Sequence, residues 1–163
     1  MSKAPIHIRE ITAADDPEIA KVIRSVLVEM GAPKVGTAYE DNALDQMTIT
    51  YDKPRHTYFV VVENNEVIGG AGIAPLGNAS EDICELQKMY FLPQARGRGV
   101  GEKMITQCLE KAKHFGFQKC YLETLPYMTA ATKLYEHTGF QYLEGPIGDT
   151  GHYSCNVWMI KTL

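Results

Sequence analysis

The sequence lacks the features of membrane, secreted and metal-binding proteins. No uninterrupted apolar stretch approaches the roughly 20 residues that a membrane-spanning helix needs. Residues 1–5 contain no apolar core of a secretory signal. The 4 cysteines form no Cys-x-x-Cys pair and have no histidine at ligand spacing; they are Cys84, Cys108, Cys120 and Cys155. We therefore expect no membrane partner, no metal and no disulfide framework, but a cytoplasmic protein with reduced thiols.

The sequence also lacks a strong net charge and long tracts of like charge. The net charge of −4 provides no global positive field that would gather nucleic acid. Charged residues make up 22% of the sequence without a long like-charge tract, so no disordered arm is expected. The 163 residues are 45% hydrophobic, which suits a single compact domain over residues 1–163.

What the sequence does contain is an ordered series of strand and helix patterns. Strands are predicted at residues 7–11, 58–62, 67–74, 83–92, 119–125, 140–143 and 155–161. Helices are predicted from Asp15 to Gly31, from the turn at 96–101 to Gly116, and over 129–137, while residues 31–45 are expected to be irregular with weak helical character. This order predicts one mixed α/β domain. Three glycines within the strand 67–74 indicate a bend or a close backbone approach; they are Gly69, Gly70 and Gly72.

A glycine-rich turn, Arg96-Gly97-Arg98-Gly99-Val100-Gly101, lies between a predicted strand and a predicted helix. Its glycines allow a tight turn that points successive backbone N–H groups into one concavity. The following helix adds its unpaired N-terminal N–H groups and the positive end of its dipole. Arg96 and Arg98 add positive charge, and Lys88 and Lys103 are close in sequence, so the pattern predicts a diphosphate site beside a basic island.

Other diphosphate-binding motifs fit this turn less well. A Walker A loop needs Gly-Lys-Ser/Thr, but Gly101 is followed by Glu102, which argues against a nucleoside triphosphatase. A dinucleotide-binding motif needs Gly-x-Gly-x-x-Gly after the first strand of a βαβ unit, whereas this motif is Gly-x-Gly-x-Gly after several strands. The remaining alternative is a turn that only connects a strand to a helix.

Two separated motifs resemble the GNAT superfamily of N-acetyltransferases. Arg96, Gly99 and Gly101 match the family's pyrophosphate motif Q/R-x-x-G-x-G, and residues 85–93 look like the strand that leads into it. Residues 130–140 are similar to the family's A-x-x-L-Y-x-x-x-G-F segment. The resemblance implies a central, mostly antiparallel mixed sheet flanked by helices. It also implies that acetyl-CoA lies between two splayed parallel strands, 83–92 and 119–125.

The resemblance further implies which residues bind acetyl-CoA, the cosubstrate. The pantetheine amides pair with backbone at Met89, Tyr90 and Phe91. The pyrophosphate rests on the turn, which contributes Arg96, Gly97, Arg98, Gly99, Val100 and Gly101. The second motif adds Thr129 and Lys133. Many relatives have Asn at the position of Met128, so a polar contact there must come from a neighbour such as Thr129.

Acetylation of an amine requires a base for the ammonium and an acid for the departing thiolate. Tyr135 matches the family tyrosine that protonates the sulfur, with simple packing against the sheet as the alternative. Glu85 is the candidate base, because a carboxylate at this offset serves as base in the protein-lysine-acetylating branch; the alternative is a solvated or ion-paired strand carboxylate. Strand alternation places Gln87 on the face of Glu85 and places Lys88, like Cys84 and Leu86, on the opposite face.

The acceptor amine is not identified by the sequence. Residues 30–45 are expected to wall the acceptor site, with Glu123, Tyr39, His152 and Tyr153 as weaker candidates, although a loop histidine is more often inert. The preferred function is acetylation of a small-molecule primary amine by direct attack in a ternary complex. A protein lysine or N-terminus, a non-catalytic acyl-CoA-binding regulatory module and a nucleotide-binding protein are the alternatives. The resemblance also allows a homodimer.

Overall fold

A computed structural model describes residues 4–163 and shows one seven-stranded sheet flanked by helices. The strands are β1 (Ile6–Glu10), β2 (Thr57–Glu63), β3 (Glu66–Pro75), β4 (Ile83–Phe91), β5 (Lys119–Thr124), β6 (Gln141–Leu143) and β7 (Val157–Thr162). The α-helices are α1 (Asp16–Glu29), α2 (Met47–Tyr51), α3 (Val100–His114) and α4 (Thr129–His137). Short 3-10 turns lie at Ala13–Asp15, Ala38–Glu40, Asn42–Gln46 and Pro93–Ala95.

The predicted mixed α/β fold is confirmed, with small differences at element ends. The last strand begins at Val157 instead of Cys155, and the segment expected to be irregular contains two 3-10 turns followed by α2. None of the helices within residues 4–163 is long and apolar enough to cross a membrane. The single-domain expectation over 1–163 stays a prediction, and its first three residues lie outside the described part of the chain.

The two faces of the sheet bury two separate hydrophobic clusters. One cluster packs α3 and α4 against the sheet through residues such as Met104, Ile105 and Phe140. The other packs α1 and α2 against the opposite face through Ile23, Leu27 and other apolar residues. Neighbouring residues of β2 alternate between the two clusters, as a strand period of two requires. The sheet is therefore covered on both sides, and its open space lies at the ends of strands.

The sheet order β1-β2-β3-β4-β5-β7-β6 contains one parallel pair, β4 with β5, and all other pairs are antiparallel. This pair is joined only where residues 83–85 face residues 119–121. Beyond Glu85 the two strands separate, although β4 continues to Phe91 and β5 to Thr124. The separation leaves one edge of the last half of β4 without a strand partner, so backbone polar groups along this edge have no strand with which to pair.

A β-bulge in β4 overturns one prediction from strand alternation. Gly70 faces Tyr90 while Gly72 faces Gln87, so two residues of β4 oppose one residue of β3, and Lys88 has a φ of 51°. The extra residue moves the Lys88 side chain to the same face as Gln87, where its Nζ lies 5.9 Å from the centre of the Tyr51 ring. Lys88 therefore does not point away from Gln87, as simple alternation predicts, and it does not join the glycine-rich turn.

The glycines of β3 explain how the bulge is held. A Cβ on Gly70 or Gly72 would lie 2.6 or 2.5 Å from the ring of Tyr58, so only glycine leaves room for this tyrosine. The Tyr58 hydroxyl then donates a 2.8 Å hydrogen bond to the carbonyl of Lys88. The close approach predicted from these glycines is thus confirmed, and it fixes the conformation of β4 at the point where the strands separate.

Candidate active site

A cavity of about 560 Å³ opens beside the unpaired edge of β4. Its walls come from the end of β4, the glycine-rich turn, the first turns of α3 and α4, and one side of α1. We call it the cofactor cavity. All of the predicted cofactor-binding residues line it except Arg98 and Lys133. Val26 of α1, Met30 directly after α1 and Tyr127 before α4 also line it. Sequence reasoning missed them because no local motif links them to the turn.

The backbone conformation of the turn depends on two glycines. Gly97 and Gly99 have φ values of 71° and 73°, and a Cβ on either would meet no atom within 4 Å. Glycine is therefore favoured here for its left-handed conformation and not for lack of space. Gly99 is the N-cap of α3 and supplies no side chain to cap it. The first N–H groups of this 15-residue helix remain available to an anion in the cavity.

Gly101 is small for a different reason. A Cβ at this position would lie 2.7 Å from Cδ2 of Leu134 in α4. Gly101 thus lets the starts of α3 and α4 approach each other, which closes one side of the cofactor cavity.

The predicted basic island is dispersed by the fold, and only Arg96 of its members lines the cofactor cavity. Arg96 binds both carboxylate oxygens of Glu29 at 2.8 and 2.9 Å and donates to the carbonyl of Phe91. Arg98 is engaged elsewhere: it binds Glu63 at 2.6 Å and the carbonyls of Gln94 and Ala4. The Arg98 guanidinium thus ties the turn to the far end of β2, which is a structural task.

The second motif places the start of α4 against the cavity. Thr129, Ala130 and Ala131 line it, whereas Lys133 is exposed to solvent and does not. Met128, which stands where many relatives have Asn, also lines the cavity, and its sulfur accepts a hydrogen bond of 3.7 Å from Thr124. This position therefore provides an apolar wall, and Thr129 is the polar side chain nearest to it in sequence.

Tyr135 lies behind the cavity wall that its helix neighbours form. It is 6% exposed and packs edge-on against Phe140 with ring centres 5.9 Å apart. Burial, with a smaller contribution from Cys120, raises its pKa well above the usual tyrosine value. Tyr135 therefore stays protonated at neutral pH.

The Tyr135 hydroxyl has no hydrogen-bond partner among residues 4–163. Within the same part of the chain, no fully buried side-chain nitrogen or oxygen atom lacks a partner. The hydroxyl oxygen of this otherwise buried residue is therefore not completely enclosed by protein, and it can donate to a molecule bound against it.

Glu85 is held in a chain of side-chain hydrogen bonds on the α2 side of the sheet. The Tyr51 hydroxyl donates to Oε1 of Gln87 at 2.6 Å, and Nε2 of Gln87 donates to Oε1 of Glu85 at 2.6 Å. Glu85 is only 6% exposed, and burial raises its pKa above the usual glutamate value. The Gln87 hydrogen bond and the charge of nearby His152 oppose this rise, and Glu123 adds to it. A carboxylate of this kind has the raised basicity that a general base needs.

Glu123 faces the same space from β5. The Tyr121 hydroxyl donates to its Oε2 at 2.5 Å, and the Thr150 hydroxyl donates to its Oε1. The Tyr121 oxygen also accepts a 3.2 Å hydrogen bond from the backbone of Ile147. Neutral donors from β5 and from the loop before β7 thus fix the carboxylate without neutralising it.

His152 and Asp41 complete this group, although they are 111 positions apart in sequence. Nε2 of His152 lies 2.8 Å from Oδ2 of Asp41, and Nζ of Lys88 lies 3.7 Å from the same oxygen. His152 is therefore not the free loop residue that its position suggests. We call the set of Asp41, Glu85, Lys88, Glu123 and His152 the acceptor cluster.

The other two weaker candidates lie outside this cluster. Tyr153 is 74% exposed. Tyr39 has the Lys34 ammonium 5.1 Å and the Arg24 guanidinium 5.9 Å from its ring centre, so cations of the protein itself already cover the ring. Within residues 4–163, no three His, Cys, Asp or Glu side chains are grouped so that they could hold a metal ion.

Comparison with known proteins agrees with the geometry. The model of the Acetyltransferase (GNAT) family matches residues 26–140. The uncharacterized N-acetyltransferase YjgM of Escherichia coli K12 is 45% identical over 157 residues, which cover 96% of this chain and 94% of that protein. A GNAT-family acetyltransferase from Staphylococcus aureus Mu50 has a similar structure, with a TM-score of 0.83, 19% identity and coverage of 98% and 99%. The PaiA N-acetyltransferase of Thermoplasma acidophilum, solved with coenzyme A, has a TM-score of 0.75, 15% identity and coverage of 98% and 99%.

Proposed function

Because the chain belongs to the GNAT family and is an acetyl-CoA-dependent N-acetyltransferase, we propose that it acetylates a primary amine of a small molecule by direct attack in a ternary complex. The observation that carries this proposal is the position of two facing carboxylates, Glu85 and Glu123, beside the point where β4 and β5 separate. Within residues 4–163, neither carboxylate forms an ion pair with a basic side chain.

The cofactor cavity suits the two ends of acetyl-CoA. The unpaired edge of β4 at Met89, Tyr90 and Phe91 can exchange backbone hydrogen bonds with the pantetheine amides, as an added strand would. The free N–H groups at the start of α3, with the Arg96 guanidinium, can bind the diphosphate. The cosubstrate supplies an activated thioester carbon, and this placement directs it toward the separated strands.

The charges of the acceptor cluster favour an amine. Lys88 and His152 are both bound to Asp41. Among the described residues, no basic side chain lies within 4.0 Å of the carboxylates of Glu85 or Glu123. A buried carboxylate and a partly buried one without a cation at this distance attract an ammonium group, and they repel a substrate carboxylate.

A small acceptor is favoured over a protein because two loops meet at the cluster. The backbone N–H of Ser154 donates to the carbonyl of Gly36, and the Ser154 hydroxyl donates to the carbonyl of Val35, both at 2.9 Å. These contacts, with the pair of Asp41 and His152, join residues 33–41 to residues 147–155 and narrow the approach. A protein lysine remains the second candidate, because Glu85 stands at the offset of the base in enzymes that acetylate such lysines.

Each catalytic residue has one proton to move. Glu85 accepts a proton from the acceptor ammonium, which leaves a neutral amine to attack the thioester carbon. Tyr135 donates the proton of its hydroxyl to the departing sulfur, and it regains one from the newly acylated nitrogen. The overall change releases CoA thiol, an amide and one proton, and that proton is the one held by Glu85.

Calorimetry and a thiol-release assay test the proposal. In calorimetry we expect heat of binding with acetyl-CoA and not with ATP. In the thiol-release assay we expect turnover with amines that carry no carboxylate, such as diamines, rather than with amino acids. The Glu85→Gln variant should lose activity and lose the acidic limb of the kcat/KM pH profile. Folded protein that binds no acetyl-CoA would contradict the transferase mechanism, and turnover restricted to lysine peptides would select the second candidate.

A further inference from the structure

The imidazole of His152 has no part in the reaction proposed above, yet the fold fixes it on every side. Its backbone N–H donates to the Thr150 hydroxyl at 3.2 Å, and its carbonyl accepts from Cys155 at 2.9 Å. Its Nε2 lies 2.8 Å from Asp41, and its side chain is 19% exposed. The ring is therefore held at the boundary between the acceptor cluster and solvent.

The contact with Asp41 depends on close docking of the two loops. Gly36 has a φ of 75°, and a Cβ there would lie 2.4 Å from the Ser154 hydroxyl and 2.7 Å from the Tyr153 ring. Only glycine permits the loops to approach this closely. Asp41 then reaches His152 from the segment before α2, and the two loops carry the pair together.

The hydrogen-bond pattern determines what the ring can do. An ionised carboxylate only accepts hydrogen bonds, so the nitrogen that faces Asp41 carries the hydrogen. The other nitrogen, Nδ1, retains a lone pair and can accept a proton, and Asp41 stabilises the imidazolium that forms. The charged and titratable groups around the ring come from three other elements and from its own loop; they are Asp41, Glu85, Lys88, Glu123 and Cys155.

Glu85 cannot easily release a proton to water because it is 6% exposed. We propose that His152, positioned by Asp41, accepts the proton that Glu85 has taken from the acceptor ammonium and releases it to solvent. The O–H bond on Glu85 breaks and an N–H bond forms on Nδ1, directly or through a solvent water, and the imidazolium then loses this proton to bulk water. This inference rests on the proposed function, with Glu85 as base.

Chemical rescue tests the inference with the full-length protein. We expect His152→Ala to lower kcat with an accepted amine about 10- to 100-fold near pH 7, with the affinity for acetyl-CoA unchanged. Added imidazole should restore part of kcat, because it replaces the lost proton acceptor and would not repair a purely structural defect. His7→Ala, at an exposed histidine of β1, is the matched control and should show neither the loss nor the rescue.

The positioning role of Asp41 is tested in the same assay. Asp41→Asn should lower kcat by a smaller factor than His152→Ala does. The double variant with both substitutions should be no slower than His152→Ala alone. A kcat of His152→Ala within about twofold of the parent, or a deficit that imidazole leaves unchanged in folded protein, would overturn the inference while leaving the proposed function intact. Absence of turnover in the parent protein and in the His7→Ala control alike would overturn both.

Discussion

Replacing Tyr135 with phenylalanine separates catalysis from packing, because the substitution removes one oxygen atom and nothing else. The ring is 6% exposed and packs against Phe140, and phenylalanine preserves this contact. The hydroxyl has no hydrogen-bond partner among residues 4–163, so its removal leaves no protein group unpaired. We therefore expect the free energy of unfolding to change by less than about 1 kcal/mol.

The expected effect on the reaction is much larger. Burial holds the pKa of Tyr135 well above the usual range, so the hydroxyl is protonated throughout the working pH range and available as an acid. Loss of a general acid lowers kcat, and we expect a decrease of about 10- to 1000-fold. That decrease corresponds to about 1.4 to 4 kcal/mol of transition-state stabilisation. A loss of about 1.4 to 4 kcal/mol in transition-state stabilisation cannot be explained by a change of less than about 1 kcal/mol in the free energy of unfolding.

Three measurements on Tyr135→Phe decide the role of the hydroxyl. Thiol release gives kcat, calorimetry gives the affinity for acetyl-CoA, and thermal unfolding gives a melting temperature that should shift by less than about 4 °C. Tyr142→Phe, on the edge strand β6, is the control: its exposed hydroxyl donates to Glu136 at the surface, and its removal should leave kcat and the affinity for acetyl-CoA unchanged. Undiminished kcat in Tyr135→Phe would refute the assignment and make Tyr135 a packing residue.

Three further predictions concern the burial of Glu85, the glycines of the turn and the two arginines of the turn. Because burial raises the pKa of Glu85, the folded state binds more protons than the unfolded state above the ordinary carboxyl pKa. The free energy of unfolding therefore falls as pH rises above about 4, and Glu85→Gln should remove that slope in melting experiments. Gly99→Ala should weaken acetyl-CoA binding at least about tenfold. The control is Gly116→Ala, at an equally open left-handed position after α3, which should only destabilise the fold. Equal affinities of the two variants for acetyl-CoA in calorimetry would contradict the role of the turn. Arg98→Ala should lower the melting temperature without changing the dissociation constant for acetyl-CoA. Arg96→Ala should raise that dissociation constant. The reverse pattern would show that Arg98, and not Arg96, binds the diphosphate.

The sequence predicted most of the strands and helices because their signals are local. The Asp15 region, with Pro17 in the first turn, starts α1 close to where it was predicted, and the turn before α3 was located by its glycines. The cofactor cavity follows from the same local motifs, because the end of β4, the turn and the start of α4 all carry sequence patterns of their own.

The direction of the Lys88 side chain could not be predicted in this way. Strand alternation assumes an unbroken period of two. A single extra residue with positive φ reverses the face of the sheet to which each later side chain of the strand points. The cause of the shift is the Tyr58 ring, which fits over Gly70 and Gly72 on a neighbouring strand. That fit depends on pairing between β2, β3 and β4, and such pairing leaves no signal within β4 itself.

The acceptor cluster could not be predicted from local sequence patterns either, because its contacts are also long-range. His152 resembles an ordinary loop histidine until the fold brings Asp41 to it from the other end of the chain. Glu123 gains its fixed orientation from Tyr121 on its own strand and from Thr150 on the loop before β7. Long-range contacts therefore decide which carboxylates are free to meet an amine and which are already neutralised.

The closeness of the two arginines in sequence also suggested the wrong source of affinity for a diphosphate. Arg96 and Arg98 are two positions apart, but each is paired with a different carboxylate, Glu29 or Glu63, and only Arg96 lines the cavity. The net positive charge at the turn is consequently small. We therefore expect affinity for the diphosphate to come mainly from backbone N–H groups, whose direction is set by the left-handed conformation of Gly97 and Gly99. A protein with a net charge of −4 can bind a polyanion in this way because oriented amides at a helix start attract it locally.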